Sequence, residues 1–280
     1  MDIVFSRLGD NEARFVLEGV SDGFANSFRR AMMSEVPTLA IEDVRIYDNT
    51  SVLFDEILAS RLGLIPIRTD LSTYRLPSRC ECGGAGCPRC YTVYTLSVEG
   101  PCMVYSGDLV PRDPAASPVH DRIPILRLFE NQKLVLEARA VLGKGKEHSK
   151  WQPTIACGYK HYPVITIDDR CDGCGMCVDE CPRGRLANGK GKARVIPERL
   201  ELCLLCRLCE KACKRGGIGS EPAIRVDEER SRYIFNVEGD GSLPVREIIK
   251  EALLHLKEST RSLLESLDEI AGGTSDEESE

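Results

Sequence analysis

Apolar and polar residues alternate from residue 2 to residue 20, with Ile3 and Phe5 before Gly9-Asp10-Asn11 and Phe15 and Leu17 after it. A period of two puts one set of side chains on one face of a strand, and the Gly-Asp-Asn step supplies the turn, so the segment predicts a β-hairpin. The period then lengthens. Phe24, Ala25, Phe28, Ala31 and Met32 fall on one helical face, Ser21 or Asp22 can cap the exposed N–H groups, and Pro37 ends the helix. The polar side of that helix carries Asn26, Ser27, Arg29 and Arg30. Leu39, Ile41, Val44 and Ile46 mark a strand, and Phe54, Ile57, Leu58 and Leu62 a short helix that Gly63 and Pro66 terminate.

Between Pro77 and Pro124 the chain is rich in proline, glycine and short β-prone pieces, and residues 133 to 142 alternate cleanly, with Leu134, Leu136, Ala138, Ala140 and Leu142 on one side. A small β-rich domain is expected there. The basic run Gly143 to Lys150 reads as a solvated connection, or as a contact for an acidic partner or phosphate. Tyr162 to Ile167 forms a strand, and Ala223 to Val226 and Tyr233 to Val237 a strand pair across Asp227-Glu-Glu-Arg230. What lies between Ile167 and Ala223 is therefore an insertion, at a place where a surface loop tolerates one. From Leu243 to Ile270 one helical pattern runs unbroken, with Pro244 in its first turn. Ile249, Leu253, Leu256, Thr260, Leu263, Leu267 and Ile270 recur at alternating steps of four and three, a heptad seam suited to packing on a partner, or else a long core helix. Residues 271 to 280 read as a solvated acidic tail.

Composition narrows the class. The 280 residues are 42% hydrophobic, enough for two or three small domains, and carry a formal charge of −7, which argues against an autonomous duplex-DNA binder. Fourteen cysteines suggest either an exported disulfide scaffold or metal. The opening Met-Asp-Ile-Val-Phe-Ser-Arg lacks a basic stretch followed by an apolar run, and no apolar segment of about 18 residues occurs. A reducing cytoplasm, without membrane association, is the expected setting.

The cysteines carry the chemistry. Cys171-x-x-Cys174-x-x-Cys177-x-x-x-Cys181-Pro182 is repeated thirty-two residues later as Cys203-x-x-Cys206-x-x-Cys209-x-x-x-Cys213, and Arg183-Gly184 recurs as Arg215-Gly216 at the same offset. Two residues between ligands let a loop curl around one cube with its sulfurs inward, and three carry the chain away. This is the spacing of a two-cluster ferredoxin module, in which the fourth thiolate of each run crosses to the other cluster. Cys171, Cys174, Cys177 and Cys213 are thus assigned to one [4Fe-4S] cluster, and Cys203, Cys206, Cys209 and Cys181 to the other. Disulfides or a pair of zinc knuckles are the competing readings, and they seldom use three evenly spaced cysteines followed by a fourth, twice. The second run departs from the first, with Leu205 and Arg207 where Gly173 and Gly175 stand and Lys214 in place of Pro182.

Cys80-x-Cys82-x4-Cys87-Pro-Arg-Cys90 sits in a glycine-rich loop and could hold a tetrahedral structural zinc, although labile disulfides or an empty loop would fit as well. Cys157 and His161 have ligand-like spacing without further ligands, which is more often packing. No flavin or nicotinamide fingerprint accompanies the cysteines, so a ferredoxin-type electron-transfer subunit of a redox complex, the rival reading, would leave most of the chain without a purpose.

The stretch Gly23-Phe-Ala-Asn-Ser-Phe-Arg-Arg-Ala-Met32 with Glu35-Val-Pro-Thr-Leu-Ala-Ile41 resembles the assembly subunit of cellular RNA polymerases, as do Leu58 to Ile67, Gly143 to Trp151 and the last helix. It is most similar to the form found in archaeal DNA-directed RNA polymerase, which is related to the N-terminal region of bacterial alpha and to the third-largest eukaryotic subunit, and some archaeal members of which carry a ferredoxin-like insertion. The resemblance implies an α+β fold: a split alpha-like dimerisation domain at 1–46 and 223–270, an inserted β-rich domain at 47–165, and an inserted ferredoxin-like α+β domain at 166–222. It implies a non-catalytic role, in which the chain pairs with the smaller alpha-like subunit L, gathers small subunits N and P and docks the large catalytic subunits. Asn26, Ser27, Arg29 and Arg30, with Arg61, Leu62 and the loop to Pro66, would belong to those contacts, beside the seam residues Ile249, Leu253, Leu256, Leu263 and Leu267. Cys80, Cys82, Cys87 and Cys90 resemble the zinc loop of eukaryotic counterparts. The position of the clusters suggests that they support assembly, either as structure or as a redox-sensitive element.

Overall fold

The computed structural model describes residues 1–189, 191–215 and 221–273, so Gly216 of the repeated Arg-Gly step and the acidic end of the tail lie outside the described residues. In chain order the elements are strands β1 (Asp2–Leu8) and β2 (Glu12–Glu18), helix α1 (Asp22–Ser34), strand β3 (Pro37–Asn49) and helix α2 (Asp55–Gly63). Five strands follow: β4 (Tyr91–Glu99), β5 (Cys102–Tyr105), β6 (Val110–Pro111), β7 (Pro124–Leu128) and β8 (Lys133–Lys144). After β9 (Thr154–Ile167) come helix α3 (Met176–Asp179), the short strands β10 (Leu186–Asn188) and β11 (Ala193–Val195), helix α4 (Leu208–Arg215), strand β12 (Ile224–Gly239) and helix α5 (Val245–Gly273).

Two compact units emerge, one of residues 1–5, 15–25 and 159–235 and the other of residues 6–14, 26–158 and 236–280. Strands β1, β2, β12 and β9 pair in that order into a four-stranded sheet. The mixture of strands and helices is the α+β kind. In the larger unit, β3, β8, β4 and β6 form a second sheet in that order, and β5 pairs with β7. The alternation along residues 133 to 142 explains the core of this sheet: Leu39 lies opposite Leu142, Ile41 opposite Ala140, Val44 opposite Ala138 and Ile46 opposite Leu136. These residues pack with Leu58, Leu62, Ile65 and Ile67 of α2 and its following loop around the fully buried Tyr94. Burying so many large aliphatic side chains, at ~1.5–3 kcal/mol each, is the main force holding the unit together.

Two local expectations change. Residues 224 to 239 are one strand, not a pair across 227–230. The charged run Asp227 to Arg230 is exposed and stays within the strand, and the irregularity is at Ser231, whose backbone takes a φ of 70° and whose carbonyl accepts from both Gly19 N (2.8 Å) and Val20 N (3.4 Å). The segment 143–151, in turn, is anchored at both ends. Lys144 and Lys146 meet Glu35 at 2.9 and 3.2 Å, Lys150 pairs with Glu42 and donates to the Ile41 carbonyl at 3.1 Å, and only residues 146–149 are exposed. Paired with those cations, the Glu35 carboxyl lies below its ordinary range even though burial alone would raise it. The buried Trp151 donates its indole N–H to the Val141 carbonyl at 3.2 Å and lies flat across Gly143.

A Cβ on Gly143 would stand 2.3 Å from the Trp151 indole, far inside contact distance. Gly143→Ala is therefore expected to lower stability by ~1–3 kcal/mol, measured by denaturant unfolding, and an unchanged midpoint would show that the indole shifts without cost.

Candidate metal centres

Within the unit that contains residues 159–235, the duplicated cysteines line two separate cavities. One is walled by Cys171, Cys174, Cys177 and Cys213 with Ile167, Gly175, Ala193 and Ile224. The other is walled by Cys181, Cys203, Cys206 and Cys209 with Ile165, Leu186, Leu204, Leu208 and Val226, and by Arg183, Arg185 and Arg207. Each run thus gives its first three sulfurs to one cavity and its fourth to the other. Burial pushes the Cys177 thiol up to about 11, with Cys171, Cys213 and Cys174 adding repulsion. Burial likewise pushes Cys209 to about 12, with Cys181 and Cys203 among the contributors. Four sulfurs that would repel one another as thiolates, apolar walls and backbone N–H donors suit a cationic iron–sulfur cube. Ala193 N donates to Cys171 Sγ at 3.4 Å, Ala223 N to Cys213 Sγ at 3.3 Å and Arg185 N to Cys181 Sγ at 3.3 Å.

The loops that present these sulfurs repeat their backbone even where their residues differ. Gly173 and Gly175 take φ values of 75° and 80°, and Leu205 and Arg207, at the matching places, take 56° and 55°. In the first run, Gly173 also passes so close to Gly191 that a Cβ would stand 3.1 Å from its carbonyl group. In the second, the left-handed conformation is kept at a steric cost that glycine would not incur. The sequence alone did not point to Lys160, whose ammonium donates to the Cys203 carbonyl from β9, or to buried Arg185.

The remaining cysteine group is tighter. The sulfurs of Cys80, Cys82, Cys87 and Cys90 all lie within 4.8 Å of one another, the one such group among the described residues. The contacts are 3.4 Å for Cys82–Cys80, 3.5 Å for Cys80–Cys87 and 3.6 Å for Cys82–Cys90. A tetrahedral ion with metal–sulfur bonds of ~2.3 Å needs sulfurs separated by ~3.8 Å, so this cage fits a single ion rather than a cube. Hydrogen bonding from Cys80 holds the Cys82 thiol down to about 6, while burial raises Cys90. Gly83, Gly84 and Gly86 supply the positive φ values that fold the loop so sharply.

The residues expected at association surfaces separate into exposed and internal sets. Asn26, Ser27 and Arg30 are exposed on α1, and Arg29 is tied to Asn26 at 3.1 Å and to Met33 Sδ at 3.0 Å. Exposed Arg61 donates to the Pro124 carbonyl at 2.8 Å. Leu62 and Ile249, by contrast, are buried within the chain itself, and Leu253 and Leu256 are half-buried. Leu263, Leu264, Leu267 and Ile270 stand exposed along the outer half of α5, from 52% to 69% accessible. Cys157 is half-buried, its thiol pushed up by burial to about 12 and its Sγ 3.9 Å from the Arg29 carbonyl. His161 leans on the Tyr233 ring at 4.9 Å.

Replacing Arg207 by glycine or by alanine removes the same guanidinium, but only alanine retains a Cβ that resists the positive φ. The glycine variant is expected to exceed the alanine variant in stability by ~1–2 kcal/mol, read from anaerobic denaturant unfolding, whereas equal stabilities would mean the loop relaxes.

The family model of the RNA polymerase Rpb3/Rpb11 dimerisation domain matches residues 14–260. Among relatives, a protein of Methanosarcina mazei named DNA-directed RNA polymerase subunit Rpo3 is 48% identical over 96% of this chain and 99% of its own length. Its namesake in Methanosarcina acetivorans is 46% identical over the same shares of the two chains, and that of Archaeoglobus fulgidus 42% identical over 93% and 96%. With nearly its whole length matched in this way, the chain belongs to the RNA polymerase Rpb3/Rpb11 dimerisation-domain family, among that family's archaeal polymerase subunits.

Proposed function

We propose that this chain is a non-catalytic assembly subunit of an archaeal DNA-directed RNA polymerase, acting through association in the cytoplasm. The observation that carries the reading is α5. It is a helix of 29 residues, ~43 Å long, whose first turns bury Val245, Ile248, Ile249 and Ala252 in the chain and whose outer half displays a leucine strip. A helix that uses one end to anchor and leaves the other apolar and uncovered is built for a second protein. The family supplies the partner: the smaller alpha-like subunit, L, whose own helices would pack on that strip. Small subunits N and P and the large catalytic subunits would then dock on the pair, with exposed Asn26, Ser27, Arg30 and Arg61 among the contacts. Among the described residues, no helix is long and apolar enough to cross a membrane. The relatives lend no support to an electron-carrier role.

We assign two [4Fe-4S] clusters to the two cavities, held by Cys171, Cys174, Cys177 and Cys213 and by Cys203, Cys206, Cys209 and Cys181, and one zinc ion to Cys80, Cys82, Cys87 and Cys90. When bound, the clusters would supply cross-links between segments with little apolar core of their own, and their loss would loosen the inserted segment and weaken assembly.

Anaerobic co-expression with the smaller alpha-like companion is expected to yield one co-eluting pair carrying iron, sulfide and zinc. Leu263→Asp with Leu267→Asp is expected to weaken the pair by at least ~30-fold in Kd, as removal of two central apolar anchors does. A chain that elutes alone as a stable monomer would overturn the assembly reading, and equal binding of the large subunits with and without clusters would overturn their part in it.

A further inference from the structure

We infer that each iron–sulfur site has one detachable iron, held by Cys206 in the second run and by Cys174 in the first, and that the Cys206 corner lets go before the other. The inference rests on the cofactor assignment above and deepens it, because it names the residues through which an oxidant would open the clusters.

The eight ligands divide by what surrounds each sulfur. Cys177, Cys203, Cys209 and Cys213 are buried. Cys171 and Cys181 are half-buried, and each accepts a backbone N–H, from Ala193 at 3.4 Å and from Arg185 at 3.3 Å respectively. Cys174 and Cys206 are exposed, and among the described residues no hydrogen bond reaches either sulfur. Each is the second cysteine of its run, so each cavity has a single exposed ligand. The backbone explains the position. Cys174 stands between Gly173 and Gly175, Cys206 between Leu205 and Arg207, and all four flanking residues take a positive φ, which leaves the cysteine between them on the outside of a sharp turn.

One-electron oxidation takes a [4Fe-4S] cluster from 2+ to 3+, with the electron passing to an acceptor such as ferricyanide, and Fe2+ can then leave a [3Fe-4S] cluster of charge 1+ behind. The departing iron breaks its bonds to one cysteine sulfur and to three cluster sulfides, and the freed thiolate takes a proton from water. A thiolate freed inside an apolar wall would be an unpaired buried charge, which is costly. At Cys174 and Cys206 water meets both the sulfur and the iron, and solvent access is one of the terms by which a protein controls such a site.

The order of release follows from the two loops. In the first, the Asp172 carboxylate accepts the Cys174 N–H at 3.0 Å and ties the loop down, and the flanking glycines take their positive φ without strain. In the second, Leu204 stands at the place of Asp172, and Leu205 and Arg207 hold φ values of 56° and 55° against their own side chains. Detaching Cys206 frees that loop to relax, whereas detaching Cys174 relieves no comparable strain.

The test is a stoichiometric ferricyanide titration of the full chain, loaded anaerobically with the iron and sulfide of two clusters and alkylated at intervals with iodoacetamide. Released iron, retained sulfide, the EPR signal of the [3Fe-4S] state and the labelled cysteines, located by mass spectrometry, are read together. Iron should leave while sulfide stays, and among the ligands the label should fall on Cys206 at least about threefold faster than on Cys174, with the remaining ligands protected. Ferrous ion with dithionite should reverse the iron loss. Arg207→Gly and Leu205→Gly, which remove the strain, should each slow labelling of Cys206 toward the Cys174 rate and leave Cys174 unchanged. Label spread over all the ligands as sulfide is lost, first label on a buried cysteine, equal rates at Cys174 and Cys206, or both glycine variants leaving the Cys206 rate unchanged would overturn the inference and leave the cofactor assignment intact. A chain that takes up less iron and sulfide than two clusters require would overturn that assignment, and the inference with it.

Discussion

Sulfur crowding is the constraint on which this structure depends. Twelve of the fourteen cysteines are drawn into three small groups, and the members of a group repel one another as soon as they ionise. Cys177 and Cys209 illustrate the penalty: both are buried, and both are pushed far above the ordinary thiol range. Under the cofactor assignment proposed above, a cation at the centre of each group would relieve that repulsion, and metal binding and folding would be coupled. The segment around 166–222 has few apolar residues of its own, and its core is largely made of the cysteines together with Leu186, Ala193, Ala223, Ile224 and Val226.

The other half of the chain is stabilised by different means. Its core is an aliphatic cluster drawn from the β3–β8–β4 sheet, α2 and the loops around them. The one group of this unit that could hold a metal ion, among the described residues, is the cysteine loop 80–90. Helix α5 belongs to this second unit.

Much of this was legible in the sequence, for identifiable reasons. The alternation at 133–142, the hairpin turn at 9–11 and the heptad seam are periodic signals, and periodicity survives without knowledge of neighbours. The cysteine repeat was clearer still, because only a few spacings wrap a cube. What could not be read depends on contacts distant in sequence. The charged run 227–230 looked like a turn and is an extended strand, since pairing along β12 outweighs local polarity. Gly143 and Gly145 lie in a run that read as a solvated connection and are instead close-approach sites, one beneath Trp151 and the other against the Met33 carbonyl. Leu62 looked like a contact residue and is core. Leu205 and Arg207 looked like departures from the repeat, yet the backbone they adopt is the same one.

The half-exposed state of α5 has a consequence for the cell as well as for the complex. A strip of leucine in water is tolerable only while something covers it, and until then it is as ready to meet a chaperone, a protease or another stray copy as its intended mate. Surplus chains would therefore be short-lived or sticky, and the abundance of the protein would follow that of its companion more closely than the output of its own gene.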